Sequence, residues 1–433
     1  MSLTNKILLG MLLGICVGVV FNLLLGLDPS TGRPTTSHGL WIETFVIDGV
    51  FDTIGQIFVA SLKLLVVPLV FVSLVCGAAA LGGHNRMGAL AGKTVGLYLI
   101  TTATAIAIAM GVAVFVEPGA AINMAQSSTY SAPPAPSIKE TFLDIFPSNP
   151  VAAMAEGNML QVIVFSILFG LAISRTGGDI GTNMRNFFEQ LNEVVLKMMM
   201  LLMQLAPYGV FALLVKLFAS MGFGAILDLA KYFFTVLFVL LLHGFLVYGS
   251  LLKALTGLNP VTFFKKMWKV EVFAFSTASS NATLPVTMRT CEHDLGVDKK
   301  VGSFSIPLGA TINMDGTAIM QGVATIFIAQ AYNIDIGMGG YLMVILTATL
   351  ASIGTAGVPS VGLVMLAMVL QSVNLPVEGI ALIIGVDRFL DMVRTAVNVT
   401  GDAVVSVIVA KSENMLDVEC YNDPRLNVEN EPV

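Results

Sequence analysis

Near its C-terminal end the chain reads Gly385-Val-Asp-Arg-Phe-Leu-Asp-Met-Val-Arg-Thr-Ala-Val-Asn-Val-Thr-Gly-Asp402, with apolar sequence on both sides. The region has the length of one membrane helix, yet it contains three aspartates and two arginines. At about 100° per residue, six polar residues fall within roughly a third of the helix circumference: Asp387, Asp391, Arg394, Thr395, Asn398 and Asp402. Because a charge at bilayer depth costs on the order of 3 kcal/mol, this face should avoid lipid. We expect it to bind a charged solute together with cations.

The composition is typical of a polytopic membrane protein. Charged residues make up 12% of the 433 residues, apolar residues make up 56%, and the mean hydropathy is +0.85. The cysteines are isolated, so the sequence predicts neither a disulfide framework nor a transition-metal site, and it indicates no cofactor. His243 lies in an apolar run and is expected to be a packed residue. The first apolar run is long for a signal peptide, which favours a retained first span.

Eight apolar segments are long enough to cross a membrane. They lie near residues 7–26, 44–80, 93–117, 158–174, 190–220, 227–256, 298–331 and 377–411. Two further segments, 261–291 and 339–373, have polar centres that contain proline. Because unpaired backbone groups are tolerated at membrane depth only against protein or water, both should be re-entrant hairpins. We therefore predict an all-α membrane protein with eight transmembrane helices and two re-entrant helical hairpins.

Loop charges and an internal duplication refine this layout. Basic residues concentrate in alternate loops, which places both termini in the cytoplasm and makes the two hairpins enter from opposite sides. A hairpin and a broken span at 261–331 are followed by a hairpin and a polar span at 339–411. Inverted repeats with broken helices are typical of transporters. The loop at 118–150 should be an exposed excursion, and the polar tail from about residue 412 should be disordered.

The motif Asn313-Met-Asp-Gly-Thr317 interrupts an apolar span. A glycine beside a buried aspartate predicts local unwinding, which exposes carbonyl groups to a cation. Together with Asn398 and Asp402 it supplies hard oxygen ligands, which suit an alkali cation better than a transition metal. The alternative is a glycine kink in which Asp315 pairs with a neighbouring arginine.

Arg394 and Asp391 form a second candidate site. The guanidinium fork of Arg394 can bind a carboxylate bidentately, and Asp391 can hold an ammonium group. This combination predicts an amino acid with an extra carboxylate; the alternative is an internal Asp391–Arg394 salt bridge. Candidate polar wall residues lie at the hairpin centres: Ser279, Ser280, Asn281, Ser352 and Thr355. In the third span, Tyr98, Thr101 and Thr102 share a face, although threonines there usually bond to their own helix.

Four motifs together carry a resemblance to a known family. They are Ala278-Ser-Ser-Asn-Ala-Thr-Leu-Pro285, Asn313-Met-Asp-Gly-Thr317, Ala351-Ser-Ile-Gly-Thr-Ala-Gly-Val-Pro359 and Asp391-Met-Val-Arg-Thr-Ala-Val-Asn-Val-Thr-Gly-Asp402. The chain resembles the dicarboxylate/amino acid:cation symporters, the glutamate transporter family, and is most similar in pattern to their sodium-coupled prokaryotic aspartate/glutamate branch. The resemblance covers residues 5–412 and is strongest over 270–402.

The resemblance implies a homotrimer in a prokaryotic inner membrane, in contact with membrane lipid, that works as an elevator. A fixed scaffold would comprise helices 1 and 2 at residues 1–87, and a loop with helices 4 and 5 at 121–222. A transport domain would comprise helix 3 at 88–120, and helices 6 to 8 with both hairpins at 223–412. The second hairpin would be the outer gate, and residues 413–433 a cytoplasmic tail.

The resemblance also implies site residues. Arg394 would bind the substrate's side-chain carboxylate and Asp391 its amino group, within a site of Ser280, Thr317, Val358, Gly362, Asp391, Arg394, Thr395 and Asn398. One sodium would bind Gly309, Asn313, Asn398 and Asp402. A second would bind backbone oxygens of Thr311, Ser352, Ile353 and Thr355. A third would bind Tyr98, Thr101, Thr102, Asn313 and Asp315.

The predicted function is import of L-aspartate or L-glutamate with sodium as a co-transported ligand, without enzyme activity or a nucleic-acid partner. Three positions depart from related branches. Ala278 replaces an arginine of archaeal aspartate transporters, and Met392 replaces an arginine of animal relatives. Gln321 replaces a glutamate that animal relatives use for proton and potassium coupling, which favours sodium coupling without potassium.

The same buried polar groups are compatible with different functions. Among transporters, the alternative functions are C4-dicarboxylate symport and neutral amino acid symport, including proton-coupled forms. Outside transporters, an ion channel would also place charge at bilayer depth, and an intramembrane aspartyl protease would use paired aspartates. The protease would need two carboxylates on facing helices around a water molecule, and Thr400-Gly-Asp402 matches such a motif poorly.

Overall fold

The computed structural model describes residues 3–26, 34–81, 88–120, 122, 147–221, 224–353, 357 and 361–423. Over these residues the chain is helical, and Val297 and Leu416 form an isolated β-bridge. The all-α class expected from the sequence is confirmed for this part of the chain. Most of the predicted excursion at 118–150 and the end of the tail lie outside the described residues, as do two predicted site residues, Thr355 and Val358. The disorder predicted from about residue 412 is wrong for residues 413–423, because Leu416 pairs with Val297, Val418–Asn422 forms a helix and Tyr421 is buried.

The N-terminal half begins with α1, Leu3–Leu25. A short helix α2, Ser37–Trp41, continues through a π-helical segment, Ile42–Phe51, into α3, Asp52–Leu81. The next helices are α4, Gly88–Val116, α5, Pro150–Glu156, α6, Met159–Thr176, α7, Gly178–Leu202, and α8, Ala206–Met221.

The C-terminal half begins with α9, Gly224–Leu241, which continues through a π-helical segment, Leu242–Val247, into α10, Tyr248–Thr256. The first predicted hairpin consists of α11, Pro260–Thr277, and α12, Ser280–His293. The helices that follow are α13, Lys299–Ile312, α14, Asp315–Ala331, α15, Gly337–Ser352, α16, Val361–Ser372, α17, Ile380–Ser412, and α18, Val418–Asn422.

Local chemistry accounts for the two breaks that matter most. Helix α11 ends where Ala278 adopts a left-handed conformation with φ of 49°, and the Ser279 side chain then caps α12 by accepting from the Ala282 amide at 3.2 Å. The second break separates α13 from α14 at Asn313 and Met314. The unwinding predicted within the span at 298–331 is therefore confirmed.

Three helical stretches among the described residues are long and apolar enough to cross a membrane: Gly92–Val116, Leu229–Thr256 and Val386–Ser412. They coincide with the predicted third, sixth and eighth spans. The last is 83% buried within the protein over its apolar window, against 39% for the first. Protein rather than lipid therefore surrounds the polar face of α17, as its charges require.

The helices pack in two sets. Helix α1 packs along α8, and α3 packs against α6 and α7. Glycines make the first of these contacts close, because a Cβ atom on Gly14 would lie 2.8 Å from the carbonyl oxygen of Phe211. In the second set, α17 is surrounded by α4, α9, α10, α11, α12, α13 and α14. The two sets are in contact, because α17 also packs against α8 and α16 packs against α3. The candidate site lies in this second set.

Candidate functional site

The polar face of α17 is organised by Arg394, whose side chain is 1% exposed. Its Nη1 lies 2.6 Å from Oδ1 of Asp387, and its Nη2 lies 2.7 Å from Oδ1 of Asp391. Arg388 adds a bond from its Nη1 to Oδ2 of Asp391 at 3.2 Å. Two arginines thus balance two aspartates. The internal Asp391–Arg394 salt bridge, which the sequence also allowed, is present, and it includes Asp387, to which no binding role was assigned.

Other predicted substrate residues converge on the same guanidinium. A Cβ atom on Gly362 would lie 3.3 Å from Nη2 of Arg394 and 3.2 Å from Cγ2 of Thr317. Two predicted residues instead bond within the protein. The hydroxyl of Thr395 donates to the carbonyl of Asp391 at 2.8 Å, and Oδ1 of Asn398 accepts from the Gly316 amide at 2.7 Å. Gly316 allows this approach, because a Cβ there would meet the Arg394 backbone at 2.5 Å.

The tips of the two predicted hairpins meet at Gly357. Its carbonyl accepts from the Ser279 hydroxyl at 2.6 Å and from the Asn281 amide at 3.1 Å. A Cβ on Gly357 would lie 3.0 Å from Cβ of Ser280, a predicted substrate residue, and 3.1 Å from the carbonyl oxygen of Ala310. The end of α13 and both tips therefore lie together.

The predicted second sodium site is partly described. Ser352 and Ile353 are buried at the end of α15. The side-chain hydroxyls of Ser352 and Thr311 donate to carbonyls of their own helices, at 2.7 and 2.9 Å. A hydroxyl that donates keeps its lone pairs, so these bonds do not distinguish hydroxyl from backbone oxygens as ligands, and the predicted backbone ligands stay a prediction.

Asp315 occupies the fully buried centre of the predicted third sodium site. It accepts from the Thr102 hydroxyl at 2.5 Å and from the Tyr248 hydroxyl at 2.8 Å, and it lies 3.1 Å from Nε2 of His243. Thr101 Oγ1 lies 3.5 Å from Oδ1 of Asn313. The weak signal in the third span is therefore placed at the motif. The hydroxyls of Thr101 and Thr102 lie within hydrogen-bond distance of both the Tyr98 carbonyl and the motif, and each can donate its single proton to one of them at a time.

The sequence missed two partners of Asp315. His243 was expected to be a packed residue, and it is fully buried, but its ring also contacts the carboxylate. Tyr248 lies five residues later and was given no role. Nothing in the order of residues along the sixth span indicates that these side chains reach a carboxylate on α14.

Asp402 forms the centre of the predicted first sodium site. Its Oδ1 accepts from Nδ2 of Asn313 at 2.9 Å, and the same amide lies 3.4 Å from the carbonyl of Asn398. A Cβ on Gly309 would collide with the Asp402 carboxylate and lie 2.7 Å from the Tyr98 hydroxyl. The predicted ligands of this site are therefore contiguous, and Asn313 joins them to the Asp315 site.

No lysine or arginine within the described ranges pairs with Asp315 or Asp402. The alternative in which Asp315 pairs with a neighbouring arginine is therefore not observed in the described residues. The two carboxylates are buried among hydroxyls, amides and one imidazole. A buried carboxylate without a cationic partner is costly, so either a proton or a bound cation would stabilise this cluster.

The chain is similar in sequence to known symporters. The sequence model of the sodium:dicarboxylate symporter family matches residues 3–412. The chain is 35% identical over 427 residues to the proton/sodium-glutamate symport protein of Bacillus caldotenax, covering 96% of each chain. It is 36% identical over 374 residues to the proton/glutamate-aspartate symporter of Escherichia coli K12, covering 84% of this chain and 85% of the relative.

A more distant source gives a similar result. Neutral amino acid transporter A of Homo sapiens is 34% identical over 393 residues, which is 81% of this chain and 73% of the human protein. The match to the family spans nearly the whole chain, including every helix that contributes to the candidate site. The chain therefore belongs to the sodium:dicarboxylate symporter family.

Proposed function

We propose that the protein is a secondary active symporter that imports L-aspartate or L-glutamate together with sodium. One observation carries this proposal: the two buried carboxylates of Asp315 and Asp402 have no lysine or arginine partner among the described residues, whereas Asp387 and Asp391 are balanced by arginines. The carboxylates of Asp315 and Asp402 would be stabilised by bound cations, and the Arg394 cluster offers groups of both charges to a zwitterionic substrate. The relatives named for glutamate and glutamate-aspartate symport support this substrate class.

The substrate binds by exchanging partners with the ion pairs on α17. Its side-chain carboxylate takes over the fork of Arg394, while its ammonium group takes over Asp391. Because each charged group gains a partner as it loses one, the exchange avoids leaving a buried charge uncompensated. The complete set is the one implied by the resemblance: Ser280, Thr317, Val358, Gly362, Asp391, Arg394, Thr395 and Asn398.

Sodium binds at three places, which the contacts around Asn313 support. Asn313 and Asp402 serve the first with Gly309 and Asn398, and Asn313 and Asp315 serve the third with Tyr98, Thr101 and Thr102. The second lies beneath the second hairpin at Thr311, Ser352, Ile353 and Thr355. Each net positive charge that crosses 100 mV supplies about 2.3 kcal/mol, or roughly 50-fold accumulation.

Transport occurs by an elevator motion in a homotrimer of the bacterial inner membrane, with both termini in the cytoplasm. The two packing sets support this division. Helices α1, α3, α6, α7 and α8 form the scaffold, while α4 and α9 to α17 form the moving unit. The second hairpin is the outer gate, and its contact with the first tip at Gly357 is the closed position.

The test is uptake of labelled L-aspartate, L-glutamate and succinate into proteoliposomes that contain the purified protein. We expect sodium-gradient-driven uptake of the two amino acids and little uptake of succinate. Uptake that ignores the sodium gradient would contradict sodium coupling, and preferential succinate uptake would favour C4-dicarboxylate symport. Solute-independent ion flux would favour an ion channel.

A further inference from the structure

Glu271 is an acidic residue that belongs to none of the proposed substrate or sodium sites. It lies on α11, eleven residues after Pro260, which at 1.5 Å per residue is about 16 Å from the start of the helix. Its neighbours Val272 and Phe273 are 45% and 41% exposed, so they present apolar surface to the surroundings of the protein. Glu271 therefore lies deep along the first hairpin in an apolar setting.

The partner of Glu271 is Thr400 on α17. Oγ1 of Thr400 lies 3.1 Å from Oε1 of Glu271 and 2.8 Å from the carbonyl oxygen of Ala396. Thr400 is 3% exposed, so its hydroxyl depends on these protein partners. Both acceptors thus compete for a hydroxyl that has a single proton.

The protonation state of Glu271 decides whether both contacts of Thr400 are hydrogen bonds. A carbonyl and an ionised carboxylate can only accept, so Thr400 can donate to only one of them. When it donates to the nearer Ala396 carbonyl, the contact with Glu271 is a hydrogen bond only if Glu271 donates. The neutral carboxylic acid therefore completes the arrangement.

No cation in the described neighbourhood offsets an ionised Glu271. Helix α11 packs against α17, α12, α10 and α18. Their titratable and charged groups are Asp387, Arg388, Asp391, Arg394, Asp402 and Lys411; Arg289, Cys291, Glu292 and His293; Tyr248 and Lys253; and Glu419, Cys420 and Tyr421. On α11 itself are Lys265, Lys266 and Lys269. None of these forms an ion pair with Glu271 in the described chain.

Three of these charged groups have hydrogen-bond partners other than Glu271. Lys266 donates to the carbonyls of Asp294 and Cys420, and Lys253 donates to the carbonyl of Gly257. Asp402, two residues after Thr400, accepts from Asn313. An ionised Glu271 would therefore rely on a single hydroxyl at a depth where charge is costly.

We infer that Glu271 is a proton-binding site that carries a proton inward with each substrate, a role that rests on the proposed symport. The carboxylate takes a proton from water on the outer side, crosses as the neutral acid that donates to Thr400, and releases the proton to the cytoplasm. During the return, Thr400 turns its own proton to the ionised carboxylate. One positive charge more than the sodium ions enters per cycle, and Thr400 serves both forms of Glu271.

The test uses proteoliposomes with a pH-sensitive dye inside and a clamped membrane potential. Sodium-driven aspartate uptake by the wild type should acidify the lumen, and Glu271→Gln should lose the acidification per aspartate taken up. Glu292→Gln, on the other limb of the hairpin, is the matched control and should keep it. The inference would be overturned if Glu271→Gln kept the wild-type ratio of acidification to aspartate uptake, or if the wild type took up aspartate without acidifying the lumen.

Two further measurements keep the result decisive. If Glu271→Gln supports no uptake, Thr400→Val should lose the acidification while Thr400→Ser keeps it. Equal acidification per aspartate in these two variants would contradict the role of Thr400. Infrared spectra of the purified protein should show a protonated carboxyl band that Glu271→Gln lacks. A wild type that transports nothing refutes the proposed symport, whereas absence of this band refutes proton binding at Glu271.

Discussion

Two buried polar clusters lie along α17, and they differ in how their charge is balanced. At the Arg394 cluster, Asp387 and Asp391 are held by arginines at 2.6 and 2.7 Å. At the other cluster, Asp315 and Asp402 have no basic partner other than the imidazole of His243 among the described residues. A balanced cluster can accept a zwitterion only by exchanging partners, whereas an unbalanced one gains from a cation directly. The clusters should therefore respond differently when a charge is removed.

The largest effect should follow Arg394→Cys. It removes the carboxylate fork, leaves Asp387 buried without a cation, and leaves Asp391 with only its contact to Arg388; breaking such a buried pair typically costs about 3–5 kcal/mol. We expect aspartate uptake to be abolished and neutral amino acids to gain access. Uptake of both substrates into proteoliposomes measures this, with size-exclusion profiles as the control for folding. Undiminished aspartate uptake would contradict the assignment of Arg394.

The second effect should follow Asp315→Asn. Loss of one carboxylate from the unbalanced cluster removes a sodium ligand charge, so the half-saturating sodium concentration should rise about tenfold or more, equivalent to at least ~1.4 kcal/mol. A sodium titration of aspartate uptake measures it. Asp298→Asn, on the exposed cap of α13, is the control and should titrate like the wild type. An unchanged titration for Asp315→Asn would count against this site.

A smaller effect should follow Tyr248→Phe. It deletes one hydroxyl that bonds Asp315 at 2.8 Å, and a hydrogen bond to a charged group contributes about 1.5–3 kcal/mol. We expect a lower melting temperature in sodium-free buffer, with part of the loss restored by sodium. Tyr208→Phe, at an exposed position, should leave the melting temperature unchanged. Equal melting temperatures for both variants would show that the hydroxyl does not stabilise the cluster.

The smallest effect should follow Arg388→Gln. Its contact with Asp391 is 3.2 Å long, against 2.7 Å for the contact of Arg394 with the same carboxylate, so Arg388 is the weaker partner. Aspartate affinity should change by a few-fold at most, since Arg394 still holds both aspartates. A loss as large as that of Arg394→Cys would mean that the two arginines act as one unit.

Two features of the site can be predicted from local sequence patterns. The polar face of α17 was recognisable because charges recur at helical spacing within an apolar segment. The break at Asn313 was recognisable because glycine and aspartate interrupt an apolar span. Both signals are local, and the structure bears both out.

Contacts between distant helices were not predictable in the same way. Asp315 meets His243 and Tyr248 across 72 and 67 positions of sequence. Thr400 meets Glu271 across 129 positions, and Glu271 follows several lysines, which gives it the appearance of an ordinary surface charge. Such pairs depend on which helix faces pack together, and no periodicity within one helix encodes that choice.

The π-helical segment Leu242–Val247 has a consequence for Asp315. In an α-helix, residues five apart point about 140° away from each other, whereas the wider turn of a π-helix brings them to one side. His243 and Tyr248 are five apart, and their rings lie edge to face with centroids 4.6 Å apart. Deleting one of the residues between them, Gly244 to Val247, would rotate one ring away from the carboxylate. The contacts of His243 and Tyr248 with Asp315 therefore depend on the number of residues in this turn as well as on their identity.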